Sequence, residues 1–233
     1  GVRYEYRFHT IDDKKIPAQI YILSQILLWS RFSKYDYNHL IDLFSNNNAM
    51  DYYWFDQGFT PEELNKIYTQ VATLPFEVAS TQGGMSDDRK SKIKWIPQTE
   101  EWMWLYEKLI GLADHANKEM WNFDLHTAPE AIQYTEYYET DQGKYDWHQD
   151  IGRGDLSIRK VSITVQLSDS DEYVGGDLCF WQGGSSLDKN VLVAPRGAGN
   201  VVIFPSYLLH SVKPVLRGTR RSFVLWLGGG HYK

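Results

Sequence analysis

Tyr145-Asp146-Trp147-His148-Gln149-Asp150 is the stretch on which the reading of this chain turns. In an extended backbone, side chains two residues apart leave the same face. His148 and Asp150 would then point together into one space. Outward from this hexapeptide, short β-prone runs recur from residue 130 onward. They are Ile132–Glu139, Lys144–Asp150, Arg159–Leu167, Asp177–Gln182, Asn190–Ala194, Asn200–Phe204, Tyr207–Val215 and Arg220–Leu227. Glycines and prolines separate them, among them Gly143, Gly175-Gly176, Pro195, Gly199 and Pro205. Strands at this spacing predict a sandwich or jelly roll rather than alternating strand–helix units. A hairpin turning at Pro214 and Gly218 is expected between His210 and a closing strand that opens at Arg220.

The first half reads differently. Thr60-Pro61-Glu62-Glu63 carries a helix start: a capping threonine, proline at the first position and glutamate closing a capping box. Leu64, Ile67, Tyr68 and Val71 follow as its buried stripe. A second helix is expected from about Thr99, with Trp102, Leu105, Leu109, Leu112, Ala113, Ala116 and Met120 on one face. Helices first and strands second predict an α+β, mainly β domain with the helices packed on one sheet. Residues 1–49 read as a helical extension of unknown role, with Ile22, Ile26 and Trp29, then Tyr37, Leu40, Ile41 and Phe44, at helical spacing. The Asn-rich stretch Ser45 to Met50 marks the seam, and residues 50–233 form the main domain.

Composition narrows the class. The 233 residues carry a formal charge of −6, which argues against a nucleic-acid binder. With 42% hydrophobic residues, a packed core rather than disorder is expected. The single cysteine, Cys179, excludes an internal disulfide and a cysteine-based zinc site. No apolar run approaches the roughly 18 residues of a membrane span. No basic, apolar and small-residue series opens the chain, so a cytoplasmic protein is the expectation.

A metal site needs a third ligand beside His148 and Asp150. His210 ends another predicted strand and supplies it. Two histidines and one carboxylate make the facial triad that holds non-haem Fe(II) and leaves coordination positions open. Arg220 follows ten residues after His210. Strand parity puts Arg220, Ser222, Val224 and Trp226 on one face and Arg221, Phe223 and Leu225 on the other. A fixed guanidinium beside a hydroxyl suits a carboxylate.

This combination resembles the 2-oxoglutarate-dependent Fe(II) oxygenases, particularly the prolyl 4-hydroxylase-like protein hydroxylases of bacteria and phages. Further landmarks of the resemblance are Arg89-Lys90-Ser91, Ile132-Gln133-Tyr134, Arg159-Lys160-Val161-Ser162, Gly175-Gly176-Asp177-Leu178, Phe204-Pro205 and Arg217-Gly218-Thr219-Arg220. It covers roughly residues 50–233. The resemblance implies a double-stranded β-helix (a cupin-like jelly roll) with Fe(II) on His148, Asp150 and His210. It implies 2-oxoglutarate as co-substrate, its far carboxylate on Arg220 with Ser222, and Tyr138 and Gln166 as further co-substrate contacts. Tyr145, Arg159 and Trp226 match substrate-side positions. The implied reaction is hydroxylation of an unactivated C–H bond with O₂, releasing succinate and CO₂, with ascorbate among the small molecules involved. Retention of Asp150, which related halogenases lose, favours hydroxylation. The implied substrate is a prolyl residue of a protein or peptide; a free amino acid, a small molecule or another protein side chain is the alternative. A non-catalytic cupin-like metal-binding module is the alternative outside the class. No nucleic acid and no membrane is expected as partner.

Overall fold

The computed structural model describes residues 52–78, 87–184, 186–187 and 190–231. The helical reading of residues 1–49 lies outside the described residues.

Strand β1, Tyr53–Phe55, leads to helix α1, Pro61–Val71. The capping box is complete: the Thr60 hydroxyl accepts from the Glu63 N–H at 3.3 Å, and the Glu63 carboxylate accepts from the Thr60 N–H at 2.8 Å. At the other end Lys94 donates to the Val71 carbonyl at 2.9 Å, placing a cation where the helix dipole is negative. Short strands follow: β2, Glu77–Val78; β3, Arg89–Lys90; and β4, Lys92–Ile96. Helix α2 spans Met103–Met120 after a single tight turn at Glu100–Trp102. The Tyr106 hydroxyl ties α2 to the sheet, donating to the Ile96 carbonyl at 2.7 Å and accepting from the Ile132 N–H at 2.9 Å.

The remaining strands are β5, Ile132–Tyr138; β6, Lys144–His148; β7, Arg159–Gln166; β8, Tyr173–Gly175; β9, Leu178–Trp181; β10, Val191–Val193; β11, Val201–Pro205; β12, His210–Val212; and β13, Val215–Gly228. An eight-stranded sheet runs β1-β11-β7-β13-β5-β4-β2, with β8 against β13. A five-stranded sheet runs β10-β9-β12-β6-β3. Every pairing is antiparallel. The architecture is a double-stranded β-helix, α+β and mainly β, with the helices on the outer face of the larger sheet.

Alternation along the strands divides the interior in two. Ile132 and Tyr134 of β5, Val161, Ile163 and Val165 of β7, Val201 and Ile203 of β11, and Phe223, Leu225 and Leu227 of β13 meet Ile67, Leu105, Leu109 and Ala113 of the helices. The opposite faces of the same strands look toward the smaller sheet. There Tyr137, Val202 and Phe204 pack on Leu178, Phe180 and Val212. This core occupies part of the space between the sheets; the rest is a cavity.

The expected hairpin between His210 and Arg220 does not form. β12 belongs to the smaller sheet and β13 to the larger one, so Lys213-Pro214 carries the chain across. Gly218 is not a turn apex but a positive-φ kink inside a 14-residue strand, opposite Tyr173 of β8 and just past a register shift between Val215 and Arg217. Its φ is 77°, and a Cβ there would lie 2.0 Å from the Glu172 carbonyl oxygen. Among the described residues, no helix is long and apolar enough to cross a membrane.

Gly218 stands opposite Tyr173 two residues before Arg220, in a conformation and a space that admit only glycine. Gly218→Ala should therefore destabilise the fold by at least about 1–3 kcal/mol, the cost of a non-glycine residue at positive φ, measured by chemical denaturation.

Candidate metal and co-substrate site

The pairing of β12 with β6 creates the site. His210 lies directly opposite His148 in the register, and their rings are 4.2 Å apart. Asp150 follows the end of β6, where its N–H donates to the Ser206 carbonyl at 2.9 Å. His148 Nε2 is 3.7 Å from one Asp150 oxygen and His210 Nε2 is 3.6 Å from the other. One ligand atom from each residue lies within 4.8 Å of the others. Among the described residues this is the group of histidine and carboxylate ligands close enough to share an ion.

Each ring is oriented by its far nitrogen. His148 Nδ1 bonds the Asp146 carbonyl at 2.7 Å, and His210 Nδ1 bonds the Leu208 carbonyl at 2.8 Å. A carbonyl can only accept, so Nδ1 carries the proton and Nε2 keeps its lone pair for a metal. Burial, then the neighbouring His210, drives the His148 imidazole down to about 3, so it stays neutral. Burial alone would raise the Asp150 carboxyl. The two imidazoles and the Ser162 hydroxyl, which donates to Asp150 at 2.6 Å, outweigh it and hold it below its ordinary value.

The triad opens on a cavity of about 720 Å³. At its other side lies Arg220, 1% exposed. Its two terminal nitrogens donate to Ser222 Oγ at 3.0 Å and Gln166 Oε1 at 2.9 Å. Nε has no hydrogen-bond partner. Among the described residues no carboxylate pairs with this guanidinium. Its seat depends on Gly176, where a Cβ would come within 3.1 Å of Arg220 Cδ. Arg217 precedes the kink. Arg221 faces the other way and pairs with Glu136 and Glu172 at 3.4 and 3.6 Å.

Arg159, Trp226 and Tyr145 line the same cavity. The Arg159 guanidinium lies 3.9 Å over the Trp226 ring, bonds the Asp150 carbonyl at 3.0 Å and pairs with Glu130. The Tyr145 ring stacks on His148 at 3.5 Å. Burial raises its phenol pKa, so it remains protonated.

Tyr138 is a correction. It faces away from the cavity and donates to Glu136, while Tyr137 stands opposite Arg220 in the register and lines the cavity. Counting ten residues back from His148 misplaces the face, because the turn at Glu139–Asp141 and left-handed Gln142 intervene. The buried Ile132 and Tyr134 carry the signal that would have corrected it: even residues of β5 face the helices. Gln166 sits behind Arg220, holding it, rather than on the cavity wall. Ser162, which braces Asp150, and Arg89, which donates to Ser91 and Gln133 on the cavity rim, stand in landmark stretches of the sequence but carried no assigned role there.

Residues 132–228 match the 2OG-Fe(II) oxygenase superfamily. A PKHD-type hydroxylase of Prochlorococcus marinus (strain MIT 9215) is 37% identical over 183 residues, 75% of this chain and 77% of that protein. The chain belongs to the 2OG-Fe(II) oxygenase superfamily. A PKHD-type hydroxylase of Synechococcus sp. (strain CC9605) is 41% identical, but over 83 residues, 36% of either chain. In three dimensions this oxygenase superpose on a Trichoplax adhaerens prolyl hydroxylase bound to a hypoxia-inducible-factor peptide fragment, with a TM-score of 0.62 and 17% identity, covering 85% of this chain and 94% of the other. A Pseudomonas putida prolyl-4-hydroxylase matches with a TM-score of 0.59 and 19% identity, over 82% and 98%. These two show the shared fold.

The residues fit the cofactors of the superfamily. Two imidazoles with Nε2 turned to the site and a carboxylate are a donor set for Fe(II). A buried, uncompensated guanidinium is a seat for a carboxylate, because an unpaired buried charge is strongly unfavourable. Ser162→Ala should leave the three ligands in place but weaken divalent-metal affinity by about 10–100-fold, the usual effect of losing such a brace, read by Mn(II) titration.

Proposed function

We propose that the chain is a 2-oxoglutarate-dependent dioxygenase that hydroxylates a prolyl residue of a protein or peptide. One observation carries the reading: the metal triad and the unpaired Arg220 charge face the same cavity. His148, Asp150 and His210 would hold Fe(II). Arg220, with Ser222 beside it, would hold the far carboxylate of 2-oxoglutarate. Bound together, Fe(II), 2-oxoglutarate and O₂ supply the oxidation of an unactivated C–H bond, with release of succinate and CO₂.

The protein's own contribution is binding and orientation. Arg159 fixes the Asp150 backbone and the Trp226 ring together, so the ligand and that wall of the cleft move as one. Tyr145 packs against His148 and restricts its ring. Tyr145 and Trp226 give the cleft an aromatic wall beside the metal ligands that suits a pyrrolidine ring, and the prolyl hydroxylases that share the fold favour the same substrate. Hydrogen removal from carbon requires no side-chain general base, and the reading assigns none; Tyr145 is protonated and the triad histidines would be committed to metal. The reading includes a cytoplasmic setting and ascorbate as the added reductant.

The substrate test is incubation with proline-containing peptides, Fe(II), 2-oxoglutarate and ascorbate, read by mass spectrometry. The expected product carries one added oxygen on proline; hydroxylation only of a free amino acid or of another side chain contradicts the prolyl reading. Loss of the buried charged hydrogen bonds, about 1.5–3 kcal/mol each, should weaken 2-oxoglutarate binding by roughly one to three orders of magnitude in Arg220→Ala. Arg217→Ala and Arg221→Ala should bind like wild type in the same anaerobic titration. Arg220→Lys should lose only part of the affinity, since charge survives without the fork.

A further inference from the structure

The cavity wall holds a second polar group without a partner. Thr135 lies in the middle of β5 and is 2% exposed. Its Oγ1 is buried and makes no hydrogen bond. It lines the cavity, and the register sets it directly opposite Ser222 on β13. Arg220, the next inward-facing residue of β13, lies opposite Tyr137, the next inward-facing residue of β5. Thr135, Ser222, Arg220 and Tyr137 thus occupy four adjacent positions on one face of two paired strands.

Isolated polar atoms in this environment are costly, and native structures pair nearly all of them. Ser222 Oγ already accepts from Arg220, so its own proton is available to a ligand. Arg220 Nε–H is unpaired. Unused donors, among them the Thr135 and Ser222 hydroxyls and Arg220 Nε–H, therefore lie at adjacent positions on the cavity-facing side of the β5–β13 pair, and an ionised carboxylate accepts several hydrogen bonds at once. We infer that Thr135 is a direct contact for the far carboxylate of 2-oxoglutarate, donating through Oγ1 beside Arg220 and Ser222. The inference rests on the proposed co-substrate role of Arg220. It adds a residue from β5, so that the carboxylate is held across the β5–β13 pairing.

The structure separates this role from a packing role. A buried hydroxyl without a partner contributes nothing to the unliganded fold, so its isosteric removal should leave unliganded stability unchanged or improved. Its loss should be felt only by the ligand.

The experiment uses the full chain loaded with Mn(II) and calorimetric titration with 2-oxoglutarate, for Thr135→Val, Thr135→Ser and Arg220→Ala beside wild type. Mn(II) affinity and the melting temperature without 2-oxoglutarate are measured in parallel. Thr135→Val should bind 2-oxoglutarate about tenfold or more weakly, as expected for one hydrogen bond to a charged group. Its Mn(II) affinity should be unchanged and its melting temperature should not fall. Thr135→Ser keeps the hydroxyl and should stay within about threefold of wild type, a shift under 1 kcal/mol. If Thr135→Val does not fold, Thr135→Ala takes its place with the same expected loss. Wild-type affinity in Thr135→Val while Arg220→Ala fails would overturn the inference and leave the Arg220 reading intact. Wild-type affinity in Arg220→Ala as well would overturn both. Equal losses in Thr135→Val and Thr135→Ser, with a lower melting temperature, would assign Thr135 to packing instead.

Discussion

A buried guanidinium without a carboxylate is the constraint around which this molecule is arranged. Arg220 sits at 1% exposure, and charge so placed is tolerated only when hydrogen-bonded and balanced. The fold supplies the first half. Gln166 from β7 and Ser222 from the same strand hold the terminal nitrogens, and Gly176 leaves room for the stem. The other half, the counter-charge, is not supplied by any described residue. In the proposed reading a dicarboxylate would supply it on binding and relieve the cost of the unpaired charge.

The metal end follows from strand pairing. Antiparallel β6 and β12 put His148 and His210 face to face, and the Asp150–Ser206 backbone bond returns the third ligand to them. The two ends are joined through the larger sheet. β7 carries Ser162, which braces Asp150, and Gln166, which braces Arg220. Ser162 and Gln166 stand four positions apart on one strand, and that spacing sets the distance between the two ends of the cavity.

Much of this was legible because alternation is a strong signal. Eight strand regions of the β-rich half were marked by apolar runs between glycines and prolines, and the faces of β13 followed from parity alone. Thr60 to Glu63 announced a helix because a capping box is local chemistry. The failures have physical causes too. Pro214 and Gly218 read as a turn, but in the fold one bridges two sheets and the other kinks a strand, a distinction that depends on β8 as a distant partner. Strands β1 to β4 are two to five residues long, too short for a periodic signal. Tyr138 lies ten residues before His148, but that count runs through a turn whose length sequence does not reveal, and the residue that reaches the cavity is Tyr137. Ser162 and Thr135 carried no role in the sequence because serine and threonine are ordinary strand residues; the bond to Asp150 makes the first informative, and burial without a partner the second.

The most direct test of the central claim, that metal and co-substrate share one reactive site, is a count of succinate. The full chain with Fe(II), 2-oxoglutarate and a proline-containing peptide is prepared without oxygen and then exposed to O₂, beside Asp150→Ala. The account predicts that wild type converts 2-oxoglutarate to succinate in a metal-dependent reaction and that Asp150→Ala does not. Recovery of 2-oxoglutarate unchanged from metal-loaded wild type, or equal succinate from both proteins, would contradict it.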